Sequence, residues 1–461
     1  MKVKEQNIFT GLFLTSLLLE GLDAFSIFKI PISWIGLAVL LTALPLYYFS
    51  DMEINTQNFT SIKYWVLYMS SVAILRSISF NLEVPEYATT SYLQYVSLRL
   101  LKILSFFVAI LIVHLMSTYL TRKKIIQYFA YVGVFISLLS LYSYFSYFLE
   151  LPDFIRSRAG SGGWSQPIER ACSILRNYGT FREPSFLAVW TVPFVPIILY
   201  LARKDFKWYF LSIFPIFSLV LTRSLTGVIA LLTAFTVISI TYLIKNKKID
   251  IKLIIPILAI LFTSLVSNNL SYKFPALDPS MCPPNSADKC NCAIYDDELD
   301  KAKNSENVAE SIFSRTTLII GGGLDGFGNF SFLTQHITKQ DIKYFGDGLG
   351  SANIIYSYEF EELSSEVISN QKVFRNPGQI VSFNNLYAYI YFSGGLVGLF
   401  WFLYIVFTHI KKAIIGYEVI DSYLGAQLIS ILLMFFFQTE EPSIILGLAI
   451  SLISLEEVQD E

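Results

Sequence analysis

Between Leu151 and Pro184 the chain carries Arg156, Arg158, Arg170, Arg176 and Arg182 and no lysine, set between long apolar stretches. The other polar breaks carry lysine: Arg122-Lys123-Lys124, Arg203-Lys204 with Lys207, Lys245-Asn246-Lys247-Lys248 with Lys252, and Lys411-Lys412. A guanidinium is a planar fork that stays charged and binds phosphate or carboxylate through two parallel N–H donors, whereas lysine at a membrane edge sets orientation or snorkels. The segregation points to arginine used for anion chemistry. The plainer alternative is an interfacial loop whose arginines hold lipid headgroups.

Composition fixes what must position these residues. Of 461 residues 54% are hydrophobic and 15% charged, with mean hydropathy +0.53, which excludes an ordinary soluble domain and implies an all-α polytopic integral membrane protein. A span needs roughly 20 apolar residues. On that measure about twelve transmembrane helices are expected, near 7–25, 32–50, 62–80, 97–119, 125–149, 184–202, 206–222, 225–244, 251–269, 383–408, 418–437 and 442–456. This divides the chain into helices 1 to 9 over 1–270, with the Arg-rich loop at 151–183; a large polar loop over 271–382; and helices 10 to 12 with the C-terminus over 383–461.

The lysine-bearing loops follow the even-numbered spans, and Lys2 and Lys4 precede the first, so the positive-inside rule places both termini in the cytoplasm. Glu20 and Asp23 close the first apolar stretch, which has no small-residue cleavage site and reads as a retained helix. The Arg-rich loop and the 271–382 insertion then face outward. Cys172, Cys282, Cys290 and Cys292 all fall in these two outer loops, which fits an oxidising compartment. A bond within Cys290-x-Cys292 is sterically poor, so Cys282 with one of them and Cys172 with the other is the expected pairing. The spacing does not suit zinc, and no metal site is expected.

Within the spans, Arg76, Arg99 and Lys102 lie near outer ends, where snorkelling and function are both open readings, and His114 lies deeper. No internal repeat supports an inverted-repeat transporter. The insertion contains Gly-rich turns, and its Gly346 to Gly350 stretch is not expected to be a nucleotide loop, because it faces outward and lacks the P-loop lysine.

The stretch Gly179-Thr180-Phe181-Arg182-Glu183-Pro184-Ser185, followed by Ala188 at a helix start, resembles the "G-x-F-x-E-P-S-x-x-A" signature of the O-antigen polymerases (Wzy) and the related O-antigen ligases (WaaL). Three further stretches are similar to the family's, in the same order. They are Leu221-Thr222-Arg223-Ser224-Leu225-Thr226-Gly227; Ser314-Arg315 in the large loop; and Phe345-Gly346-Asp347-Gly348-Leu349-Gly350, with Ser382-Phe383-Asn384-Asn385-Leu386 and Gly394 to Gly398. The resemblance covers roughly residues 175–440. It implies a GT-C-like architecture with one large periplasmic loop in the bacterial inner membrane, and a metal-independent, cofactor-free glycosyltransferase with a periplasmic active site. The donor it implies is an undecaprenyl-diphosphate-linked oligosaccharide. The other implied partners are the lipid bilayer and a chain-length regulator, with no nucleic acid.

Breaking the anomeric bond releases a lipid diphosphate, whose growing negative charge needs a preorganised cationic cradle. The resemblance assigns that cradle first to Arg182, Arg223 and Arg315, with Asn384 beside the substrate; Arg176 and the intramembrane charges Arg76 and Arg99 are the second candidates. Glu183 is the expected base for the attacking hydroxyl, with Asp347 next and His336 third; Glu183 could equally fix Arg182 or cap its helix. Arg156, Arg158 and Arg170 fall outside the motifs and are assigned to holding the loop against headgroups or saccharide. Phe383 stands where the ligases carry histidine, which favours polymerase over ligase. A transporter or flippase is a third reading, weakened by the scarcity of deep charges.

Overall fold

A computed structural model describes residues 2–49, 59–79, 82–84, 90–158, 175–248, 250–267, 270, 342–357, 380, 382–383, 385–415, 419–437, 439 and 441–455. The described chain is mostly helical: α1 (Lys2–Glu20), α2 (Ile32–Leu41), α3 (Ala43–Tyr48), α4 (Thr60–Ser79), α5 (Tyr92–Ser117), α6 (Arg122–Ser146), α7 (Pro184–Thr191), α8 (Phe194–Ala202), α9 (Lys207–Leu221), α10 (Leu225–Asn246), α11 (Ile251–Ser267), α12 (Leu386–Ile415), α13 (Val419–Phe437) and α14 (Ile444–Ser454). Among the described residues, α5, α6, α10, α12 and α13 are long and apolar enough to cross a membrane. The pair α7 and α8, bent by 42°, makes a sixth if it is one broken span. The shorter apolar helices α9, α11 and α14 and the α2–α3 pair pack with them, as do α1, against α2, α5 and α6, and α4, against α5 and α12.

Two expected spans are reshaped by local chemistry. The stretch 184–202 breaks at Val192-Pro193, where proline has no N–H to continue the helical ladder. The helix expected at 97–119 starts earlier, at Tyr92, because Ser91 accepts a hydrogen bond from the Gln94 N–H and caps it. Between α1 and α2 a two-residue hairpin, β1 (Ser26–Ile27) and β2 (Ile30–Pro31), turns on Phe28 and Lys29, both with positive φ, as a type I′ turn requires.

The core is built around α13 and α14. Helix α13 packs against α8, α10, α12 and α14, while α14 packs on α5. Every residue of α14 is buried, as expected for a helix apolar on all sides.

Helix α12 is broken at Gly394-Gly395, and the segment 343–348 fills the break. Asp347 and Gly348 N–H groups donate to the Phe392 and Ser393 carbonyls at 2.8 and 2.9 Å, while the Leu396 and Val397 N–H groups donate to Lys343 and Tyr344 carbonyls at 2.9 and 3.3 Å. Gly395 has φ 67°, and a Cβ there would stand 2.3 Å from the Tyr344 oxygen. A Cβ on Gly346 would stand 2.2 Å from the Ser393 carbonyl carbon, so only glycine fits at either contact.

Candidate functional site

A cavity of about 470 Å³ opens where the C-terminal ends of α1 and α13 meet the N-terminal ends of α7 and α14. Four cations line it, Arg99, Lys102, Arg158 and Arg182, with three carboxyls, Glu20, Asp23 and Glu441. Trp34, Phe186, Trp190 and Phe435 supply apolar faces. Its volume lies within the ordinary range for small-molecule sites.

One wall hangs on Asp23. Arg182 Nε donates to Asp23 Oδ2 at 2.8 Å, and Arg158 pairs with Asp23 Oδ1 and also donates to the Asp23 carbonyl at 3.1 Å. The backbone sets this up: Ala24 N–H donates to the Thr180 carbonyl at 2.9 Å, Arg158 N–H to the Ala24 carbonyl at 3.1 Å, and the Thr180 hydroxyl to the Gly21 carbonyl at 2.6 Å. The Arg-rich loop is thus stitched to the turn after α1. Burial pulls the Arg158 guanidinium down from its ordinary value and Asp23 opposes that pull. Arg182 spends only Nε on Asp23; among the described residues its Nη groups make no hydrogen bond, and its guanidinium lies over the Phe186 ring at 4.7 Å.

A second wall hangs on Glu441, which is 6% exposed. Arg99 Nη1 stands 2.5 Å from Glu441 Oε1, and Lys102 pairs with Oε2. Burial alone would raise the Glu441 carboxyl, but Arg99 and Lys102 outweigh it and hold it below the usual carboxylate range. Arg99 also packs over the Tyr95 ring at 4.6 Å and Lys102 over Trp34 at 5.3 Å.

Of the residues expected from sequence, Arg182 and Arg99 line the cavity. Glu183 does not; it is the exposed N-cap of α7, makes no capping bond, and accepts a hydrogen bond from the Ser185 hydroxyl at 3.3 Å. Asp347 is held by Lys343 at 2.6 Å and Tyr356 at 3.3 Å. Arg76 Nε donates to the Gly346 carbonyl at 3.2 Å, Arg176 Nε to the Thr222 carbonyl at 2.9 Å, and Arg223 is buried beside it with φ 51°. None of these three lines the cavity. Arg156 clasps the loop, donating to Asp153 at 2.9 Å and to the Gly179 carbonyl at 2.8 Å. Phe383 is buried and stacks on Phe392 at 5.0 Å. Arg170, Arg315, His336, Asn384, Cys172, Cys282, Cys290 and Cys292 lie outside the described residues.

Sequence reasoning left out half of this site. Sequence alone assigns Arg158 to anchoring the loop, yet it shares Asp23 with Arg182. In sequence Glu20 and Asp23 mark only the end of an apolar stretch. Glu441 was missed altogether, although Glu441-Pro442-Ser443 repeats Glu183-Pro184-Ser185 and, like it, directly precedes an apolar stretch. Comparison with protein-family models, curated proteins and solved structures finds no match for this chain.

Proposed function

We propose that this chain is a polysaccharide polymerase of the O-antigen type, a metal-independent glycosyltransferase of about twelve spans in the bacterial inner membrane. In this reading both termini are cytoplasmic, and a glycan chain moves from undecaprenyl diphosphate onto a new lipid-linked repeat unit at the periplasmic face. The observation that carries the reading is the convergence of four cations on one cavity at one end of the bundle. Each carboxylate bridge preorganises two cations without consuming them, since a guanidinium has five N–H donors and an ammonium three. The open Nη edge of Arg182 suits a phosphate oxygen pair. A diphosphate leaving group would develop charge against a field already in place, which is the largest single source of rate in such sites. The aromatic faces of Trp34, Phe186 and Trp190 suit a sugar ring or the first isoprene units. Phe383, stacked in the core, offers no base where the ligases carry histidine, which favours polymerisation over transfer to lipid A core.

The test is complementation. Expressed in a strain lacking its own polymerase but making the matching repeat unit, the chain is expected to restore a lipopolysaccharide ladder on a gel. Core bearing one repeat and never more would sink the polymerase reading. A strain deleted for this chain that accumulates untransferred polymer would identify a ligase.

A further inference from the structure

The glycosyl-transfer reading needs a proton acceptor beside the diphosphate cradle, and the carboxyls of the molecule are unequally free to serve. Of the three that line the cavity, Asp23 spends its oxygens on Arg158 and Arg182, and Glu441 spends its oxygens on Arg99 and Lys102. Of the carboxyls favoured by sequence, Glu183 is exposed outside the cavity and Asp347 is tied to Lys343 and Tyr356. Glu20 differs from all four. It ends α1, it lines the cavity, and its Oε2 is buried with no hydrogen-bond or ion-pair partner among the described residues. A buried acceptor without a donor carries a desolvation cost that a bound hydroxyl would relieve. Such an orphan in a cavity of cations is a site waiting for a donor.

We infer that Glu20 is the catalytic base, accepting the proton of the attacking sugar hydroxyl. The assignment rests on the glycosyl-transfer reading above. The acceptor oxygen forms a bond to the anomeric carbon, and the bond from that carbon to the diphosphate oxygen breaks, with its electron pair going to the diphosphate. The hydroxyl proton passes to the Glu20 carboxylate and leaves to solvent as the lipid diphosphate is released. The charged groups that share the cavity with Glu20 are Asp23 on the following turn, Arg99 and Lys102 from α5, Arg158 and Arg182 from the Arg-rich loop, and Glu441 before α14.

The experiment compares purified full-length wild type, E20Q, E20D and E183Q on the lipid-linked repeat unit extracted from the source strain, across a pH series. E20Q should lower kcat by about 10²–10⁴-fold with KM little changed, the usual contribution of a general base. E20D should recover part of that loss and displace the acid limb of the wild-type profile. Matching Tm values for wild type and E20Q exclude unfolding as the cause; should E20Q not fold, the shifted limb of E20D carries the test. Full kcat in E20Q, or an E20D profile that superimposes on the wild-type one, would overturn the assignment. So would loss of activity in E183Q with none in E20Q. Wild-type protein that makes no polymer would instead overturn the glycosyl-transfer reading, and this assignment with it.

Discussion

The two Glu-Pro-Ser turns of the chain border one cavity and divide their labour in opposite ways. In Arg182-Glu183-Pro184-Ser185 the cation comes from the turn and the acid, Asp23, is supplied by the turn after α1. In Glu441-Pro442-Ser443 the acid belongs to the turn and the cations, Arg99 and Lys102, are supplied by α5. Ser443 caps its helix by accepting from the Leu446 N–H at 3.2 Å, which frees Glu441 to turn inward. In the first turn Glu183 sits at the cap position and faces out. The same three residues therefore give opposite side-chain directions, decided by which of them takes the cap. Each wall ends as a carboxylate holding two cations.

The walls should differ most in how hard they are to break. Replacing the buried Glu441 by alanine leaves the largely buried Arg99 and the part-exposed Lys102 without their shared carboxylate and is expected to destabilise by about 3 kcal/mol, read as lost Tm and loss of monodisperse protein. A wild-type Tm would show that the second bridge is dispensable. Acid should open the same bridge in a predictable window. The Glu441 carboxyl is held below its unfolded value of about 4.5, so its stabilisation is complete above that value and is lost as pH falls through the lower folded one. Titrating Tm downward should show a drop beginning below pH ~4.5 that E441Q lacks.

The first wall should matter more for turnover than for folding. Arg182→Lys keeps the charge that pairs with Asp23 and loses the open guanidinium edge. Activity should fall about a hundredfold, ~2.8 kcal/mol, with Tm nearly unchanged; wild-type activity would return Arg182 to a headgroup-holding role. Asp23→Asn frees Arg158 and Arg182 together and should lower stability by on the order of 1–2 kcal/mol, read by thermal melting, while raising the affinity for inorganic pyrophosphate. An unchanged pyrophosphate affinity would mean the pair is not available to anions. Glu183→Gln should change stability least, within about 0.5 kcal/mol, as an exposed side chain with one neighbour; a large loss of Tm would show that the turn leans on it.

Hydropathy made the helical bundle legible, and residue choice made Arg182 and Arg99 legible, because arginine that leaves the lysine pattern stands out in one dimension. What sequence could not show was convergence. Asp23 lies 159 residues from Arg182 and Glu441 lies 339 from Lys102, so no spacing rule joins them, and local motifs drew attention to Glu183 because it is next to Arg182 in the chain. The break of the 184–202 stretch was visible in Pro193 but overruled by its continuous hydropathy. Arg158 was lost to the opposite error, a residue without a motif whose partner came from another helix.

The filled break in α12 has a consequence for how the protein is made. Inside a bilayer, backbone groups freed by a kink must find partners in the protein, and here four of them find residues 343–348. That segment leaves the ribosome before α12 does. The helix therefore reaches its final shape only on a template already synthesised, and the four backbone groups at the break depend on that template for their partners.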